Sequence, residues 1–309
     1  MHEARWSGEP QRSIRPRITA LTRPNAIAQI ALQLWQMPVP GAGPYGNVRM
    51  SLTSWAEGAS AGDAVTLGIE GMETIAAVGR GELDLGTLNP SAFLTMAYRG
   101  TGPFSTPLPL RAIAVMPSFD LMGFALAGST GCTSLAEVRE RRVPLRISIR
   151  DDASHSPPLT VDQVLQAEGF SLADVEAWGG SVQLLGAPPG DPKRIEGMRS
   201  GAITAVFDEG INTWGGVALE SGFCFARLQD STLAAMEEIG WPILPLSPLF
   251  PTLGVETFTL SFSGWPIYTH AGLPEEVGYL ITDALWRARD AINWDLDRPV
   301  ELADLRGGT

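Results

Sequence analysis

The sequence predicts an α/β fold of two lobes with mostly parallel sheets. Three observations lead there. Short apolar runs of strand character alternate with amphipathic helical stretches along most of the chain. At 309 residues the chain is longer than one ordinary core sustains. With 44% hydrophobic and 18% charged residues, it carries enough apolar surface to fill two cores.

After a polar arm (1–16), Arg17 to Leu21 reads as a first strand, followed by the turn Thr22-Arg23-Pro24-Asn25. A helix is expected over 26–36, with Ile27, Ile30, Ala31 and Leu34 on one face. Pro38, Pro40, Gly41, Gly43 and Pro44 make a loop, and Val48 to Ser54 alternates like a strand. The stretch 65–104 is the most telling. A helix from Glu70 to Val78 runs into Gly79-Arg80-Gly81-Glu82, then a short strand Leu83 to Gly86, the turn Asn89-Pro90, and a second helix ending near Arg99. Where such strands feed helices in an open sheet, free backbone N–H groups gather at the strand ends and suit a small anion.

Leu110 to Met116 and Phe119 to Ala127 follow as apolar strands, and a second α/β unit starts near Pro117. Its helix at 134–141 opens on Ser134 with Glu137 three residues on, the capping-box spacing. A strand at 145–149 leads into the polar loop Arg150 to Pro158, then a helix through 160–167, a strand at 181–185 and a helix at 192–200. The strand Ala205 to Phe207 ends in Asp208-Glu209-Gly210. Beyond about residue 240, a strand at 257–262 and a helix at 275–292 are expected to return to the first lobe. The expected division is therefore 17–116 with 240–295 for lobe 1, 117–239 for lobe 2, and a loose tail at 296–309.

Net charge of −12 opposes nucleic-acid binding, which rests on Lys and Arg neutralising phosphates, but leaves room for a locally positive pocket. The two cysteines, Cys132 and Cys224, form no CxxC or Cys/His cluster and read as two separate small apolar residues. The three histidines are too scattered for a metal triad, so no metal is expected, and no cofactor. No apolar run is long enough to span a bilayer. G-x-S-x-G, Walker and GxGxxG motifs are absent.

Five stretches in order carry a family resemblance: GRGELDLG (79–86) with AYRGTGPF (97–104), SLAEVRERRVPLRIS (134–148), VLQAEGFSLADV (164–175) and MRSGAITAVF (198–207). Together they resemble the TRAP-associated extracytoplasmic immunogenic (TAXI) solute receptors, the binding subunits of some tripartite transporters. The resemblance covers roughly residues 17–295. It implies a type II periplasmic-binding-protein fold, two α/β lobes joined by a hinge and closing over a small ligand, often a carboxylate or amino acid. It also implies permease subunits as partners and a periplasmic location. The N-terminal arm is polar and basic with no hydrophobic leader core, so a cytoplasmic location is the alternative expectation.

The sequence departs from the family where the family touches its ligand: at 22–25, at Asp151 to Ser156, and at Asp208-Glu209. These positions supply the candidates. Arg23 could clamp a carboxylate, while Asn25 could touch ligand or cap the following helix. Asn89 closes a strand at a turn. Ser154 and Ser156 precede a helix and could hold an anion at its positive end, or simply cap it. His155 could donate to an anion or act as an acid/base. Asp208 and Glu209 end a strand on opposite faces, so one could accept from a ligand amine or hydroxyl. Trp214 could wall the site, although core packing is the commoner fate of a helical Trp. Arg150 could act like Arg23 or pair with Asp151. Glu57 reads as solvated and His270 as a packing or surface residue. The favoured function is a solute receptor with no catalytic residue. The alternative is a cytoplasmic decarboxylase or lyase using His155 with Asp208 or Glu209.

Overall fold

The computed structural model describes residues 48–53, 64–69, 72–150, 156–185, 189–273 and 275–288. The expected strand at 17–21 and helix at 26–36, and the candidates Arg23, Asn25, Glu57, Ser154 and His155, lie outside the described residues. The chain is an α/β protein of two units. Unit 1 comprises 1–99, 106–118 and 264–309; unit 2 comprises 100–105 and 119–263.

In unit 1, β1 (Val48–Thr53) and β2 (Ala64–Ile69) form an antiparallel pair. Helix α1 (Met72–Gly79) turns Ile75 and Val78 into the core. Its end explains the Gly-Arg-Gly sequence that follows. Gly81 adopts a left-handed φ of 72°, Gly81 N donates to Val78 O at 2.9 Å and Glu82 N to Ala77 O at 2.9 Å. That is a Schellman stop, which needs a residue without Cβ strain at its left-handed position. β3 (Leu85–Thr87), α2 (Ala92–Arg99) and β4 (Leu110–Met116) follow.

Unit 2 opens with β5 (Gly123–Ala127), then α3 (Leu135–Arg141) and β6 (Arg146–Arg150). Ser134 caps α3, its hydroxyl accepting from Glu137 N at 3.2 Å; the Glu137 carboxylate reaches one residue beyond the cap, to Thr133 N at 2.6 Å. α4 (Ser156–Glu168) begins earlier than the sequence predicts. Pro157 and Pro158 sit in its first turn, where missing N–H groups cost nothing, so part of the expected loop is helix. α5 (Leu172–Ala177), an element the sequence pattern did not predict, is held by a full capping box between Ser171 and Asp174. β7 (Ser181–Leu185), α6 (Pro192–Ser200), β8 (Ala205–Asp208), α7 (Ile211–Glu220), β9 (Phe223–Phe225) and α8 (Asp230–Ile239) complete the main body. A ribbon of β10 (Ile243–Pro245) and β11 (Phe258–Leu260) follows. The chain then re-enters unit 1 with β12 (Trp265–His270) and α9 (Glu275–Ala288).

The sheet orders are β1-β2-β3-β12-β4 in unit 1 and β7-β6-β8-β5-β9 in unit 2. Both sheets are mixed, where the strand–helix alternation predicts mostly parallel pairing. Among the described residues of unit 1 only β2–β3 is parallel; in unit 2 β7–β6 and β6–β8 are. One strand in each sheet accounts for two of its antiparallel pairs. β12 lies antiparallel between β3 and β4, and β5 lies antiparallel between β8 and β9. Each is the first strand after the chain passes from one unit to the other. The return to unit 1 comes at Gly264 rather than near residue 240. Trp241 stacks on Phe262 with centroids 6.1 Å apart and donates to Gln163 at 3.2 Å, which keeps 240–263 in unit 2.

The core of unit 2 forms around Trp214, which is fully buried with Leu121, Val206, Ile211, Phe223 and Phe225. Gly123 makes room for the indole, since a Cβ there would lie 2.6 Å from Trp214 Cη2. β5 and β8 are buried along their whole lengths, as strands covered on both faces must be.

Candidate functional site

In unit 2 the connection leaving β6 leads to β7 on one side, while the connection leaving β8 leads toward β9 on the other. β6 and β8 are parallel neighbours, with Ile147 opposite Ala205 and Ser148 opposite Val206. Their carboxyl ends thus mark a topological switch point, where diverging loops leave a crevice in an open α/β sheet. β6 ends in Arg150 and β8 in Asp208, followed by Glu209 and by Gly210, which caps α7.

A buried ionic cluster occupies these strand ends. Arg150 Nη1 donates to Glu209 Oε1. Arg194, in the first turns of α6, donates from Nη1 to Asp208 Oδ2 at 2.5 Å and to Pro189 O at 2.9 Å, and from Nε to Ser148 Oγ at 2.9 Å. Arg194 and Asp208 are wholly buried; Arg150 and Glu209 nearly so. The adjacent carboxylates therefore go to different guanidinium partners. Asp120, just before β5, joins them. Its Oδ2 accepts from Gly210 N at 2.8 Å and its Oδ1 from Leu121 N at 2.8 Å. Its carboxyl lies near enough to that of Glu209 for each to shift the other's titration.

Burial dominates the titration of all three acids. It pushes Asp208 up to about 6, against the pull of Arg194. It pushes Glu209 up to about 8, against Arg150, with Asp120 adding to the rise. Burial also raises Asp120, opposed by Glu209 and by the hydrogen bonds it accepts from Gly210 and Leu121.

The sequence candidates that are described fall as follows. Ser156 starts α4, is buried, and its carbonyl accepts from Thr160 Oγ1 at 2.9 Å. Asp208 and Glu209 belong to the ionic cluster. Trp214 takes the core alternative: it is fully buried, and its Nε1 donates to Glu209 O at 2.8 Å, so it steadies the cluster from beneath. Asn89 belongs to unit 1, where its Nδ2 donates to Gly264 O at 3.4 Å. Arg150 pairs with Glu209, and His270 Nδ1 accepts from Gly272 N at 3.1 Å.

Sequence reasoning missed Asp120, Ser148 and Arg194. Two signals existed. Arg194, Gly197 and Met198 share the buried stripe of α6 at i, i+3, i+4 spacing, and a charge there demands a partner. Gly210 caps α7 without a side chain, so the amides of that helix need an acceptor from elsewhere. Among the described residues no group of His, Cys, Asp and Glu could hold a metal, and no helix is long and apolar enough to cross a membrane.

No family model and no curated protein matches the chain. Solved structures with some likeness include XAC2383 from Xanthomonas citri bound to ATP, at 11% identity and TM-score 0.43 over 75% of this chain and 77% of that one. The periplasmic binding protein BugD follows at 12% identity and TM-score 0.38, over 69% of this chain and 66% of that one. An ABC transporter structure from Clostridium perfringens shows 11% identity and TM-score 0.34 over 75% and 76%. Similarity at this level transfers neither ligand nor activity.

Proposed function

We propose that this protein is a solute-binding receptor that captures a small organic anion, a carboxylate or an amino acid, outside the cytoplasm and delivers it to a membrane transporter of the TRAP type. The observation that carries the reading is the switch point of unit 2, where the ends of β6 and β8 and the head of α4 come from one sheet edge. The five ordered stretches that resemble TAXI receptors, and the repeated passage of one chain between two α/β units, support it.

The chemistry of the edge bears on how a solute would be held. Arg150 and Arg194 already face carboxylates, so the cluster forms a charge-compensated floor rather than a free anion clamp. An anion would then be held by backbone amides and hydroxyls at the head of α4, where the helix dipole favours negative charge. Ser156 and the preceding Ser154 and His155 are the proposed contacts there; Arg23, Asn25 and Asn89 are kept separately as proposed ligand-binding residues of unit 1.

Thermal denaturation against a panel of carboxylates and amino acids, followed by calorimetric titration of any hit, tests the reading. A saturable rise in melting temperature with at least one such compound is expected. No shift with any anion at saturating concentration would overturn it. A lyase or decarboxylase on the same fold is the second reading, favoured by one observation: Glu209 is a buried carboxyl titrating near neutral pH. Nuclear magnetic resonance of the bound compound after long incubation separates the two, since a receptor returns it unchanged.

A further inference from the structure

We infer that Cys132 and Cys224 are a redox pair, which a small disulfide compound oxidises to an intramolecular bond stapling the turn before α3 to β9. The two lie 92 positions apart in the sequence, where they read as separate apolar residues. The fold lays their segments side by side. Gly128 N donates to Gly222 O at 2.9 Å, and further along Arg227 N donates to Thr133 O at 2.9 Å. Both cysteines lie between these two ties, Cys132 in the turn before α3 and Cys224 in β9. Ser134 continues the pairing as a parallel bridge to Arg227. The Cys224 thiol donates across the gap to the Cys132 carbonyl, sulfur 3.7 Å from oxygen.

The surroundings of the two thiols assign their parts. Cys132 is buried, whereas Cys224 is half-buried and can meet a reagent. Cys132 Sγ has a cation beside it: Arg141 Nη1, from the last turn of α3, donates to it at 3.3 Å. The same guanidinium is pinned by Gly131 O at 2.7 Å and by Thr130 O at 3.3 Å, so its charge stays at the turn. A neighbouring guanidinium favours the thiolate, the form that attacks a disulfide. Burial raises both thiols above their ordinary value, against the pull of Arg141 on Cys132, so the pair reacts slowly and with few reagents.

The reaction is thiol–disulfide exchange. The Cys224 thiolate, its proton lost to solvent, attacks one sulfur of the reagent. A mixed disulfide forms on Cys224, and the other half of the reagent leaves as a thiolate. Cys132 then attacks the Cys224 sulfur, the bond from protein to reagent breaks, and the second half leaves. Two protein thiols are oxidised, one reagent disulfide is reduced to two thiols, and the protons given up by the cysteines end on these. To close the bond, the Cys132 thiol gives up Thr130 O at 3.7 Å and its contact with Arg141, both weak because sulfur is a poor hydrogen-bonding atom.

The bond closes a long stretch of chain, so it should stabilise the folded state mainly by restricting the unfolded one. Compartments outside the cytoplasm hold oxidants of this class. The pair meets the same reagent in the same way wherever the protein resides, so its failure and that of the receptor reading are separate results.

The test is incubation of the native full chain with oxidised glutathione, followed by acid quenching, alkylation under denaturing conditions and mass spectrometry. The wild type should lose both alkylatable thiols, remain a single chain lighter by the hydrogens of those thiols, and yield a peptide joining Cys132 to Cys224. Its urea midpoint should rise, and return to the starting value on reduction with dithiothreitol. Cys132→Ser should stop at a glutathione adduct on Cys224, while Cys224→Ser should keep Cys132 alkylatable. Two free thiols after prolonged incubation, glutathione adducts on the wild type in place of the cross-link, a bond formed only between two chains, or a urea midpoint that does not rise on cross-linking would overturn the inference.

Discussion

Arg194 illustrates what a single buried charge demands. It lies fully buried on α6 and is held by Asp208, Ser148 and the Pro189 carbonyl. Replacing it with Leu strands Asp208 without a counter-charge, a change that costs about 3–5 kcal/mol when one partner of a buried pair is removed. Urea unfolding at neutral pH should show a loss of that order. Asp208 already titrates at about 6, so the loss should shrink in acid, where the stranded carboxyl takes up a proton. Adding Asp208→Leu should recover much of it, because removing both charges leaves nothing uncompensated. Tyr268 offers the opposite case. Its ring is fully buried in unit 1 and its hydroxyl has no hydrogen-bond partner among the described residues, while burial raises its pKa far above the ordinary value. An unsatisfied buried hydroxyl costs about 1–3 kcal/mol, so Tyr268→Phe should leave the melting temperature unchanged or raise it. A clear fall would show that the hydroxyl is bonded.

At the level of elements, the pairing of β3 with β12 depends on a glycine. Tyr268 stands opposite Gly86 in the register, and a Cβ on Gly86 would lie 2.3 Å from Tyr268 Cζ. Gly86→Ala should therefore destabilise by about 1–3 kcal/mol, the usual cost of overpacking, as read by chemical denaturation. Tyr268→Phe would not rescue it, since the ring itself fills the space. This position shows how far the sequence could be read. The run Leu83 to Gly86 identifies a strand, but nothing local says that an aromatic ring arriving about 180 residues later needs Gly86 bare. Helix ends were more legible. The stop after α1 and the cap of α3 are written in adjacent residues, because capping is satisfied within one turn. α5 escaped notice although Ser171 and Asp174 form a full capping box, because six residues are too few for periodicity to declare.

For the molecule as a whole, the excess of acidic groups is the feature that solution conditions reach most directly. A net charge of −12 repels itself, and salt screens that repulsion over about 10 Å at 0.1 M. The melting temperature should rise modestly as sodium chloride increases from low to physiological ionic strength. No change would mean that local pairs such as Arg80 with Glu82 already absorb the repulsion. The same scale governs the strand order. β12 and β5, each antiparallel to both of its neighbours, come just after the chain changes unit, so their direction follows from threading and not from any strand's own composition.

What the sequence determined by itself was local: the α/β class, most strand and helix positions within unit 2, the stops and caps, and Asp208-Glu209 at a strand end. These rest on interactions spanning a few residues, whose periodicity and chemistry sit in adjacent letters. Only the tertiary structure decided that Arg150 and Arg194 partner those acids, that Asp120 joins them from before β5, that Trp214 belongs to the core, and that β5 and β12 run against their neighbours. Those outcomes depend on groups far apart in the chain being buried together, where a charge must find a counter-charge whatever its distance along the sequence.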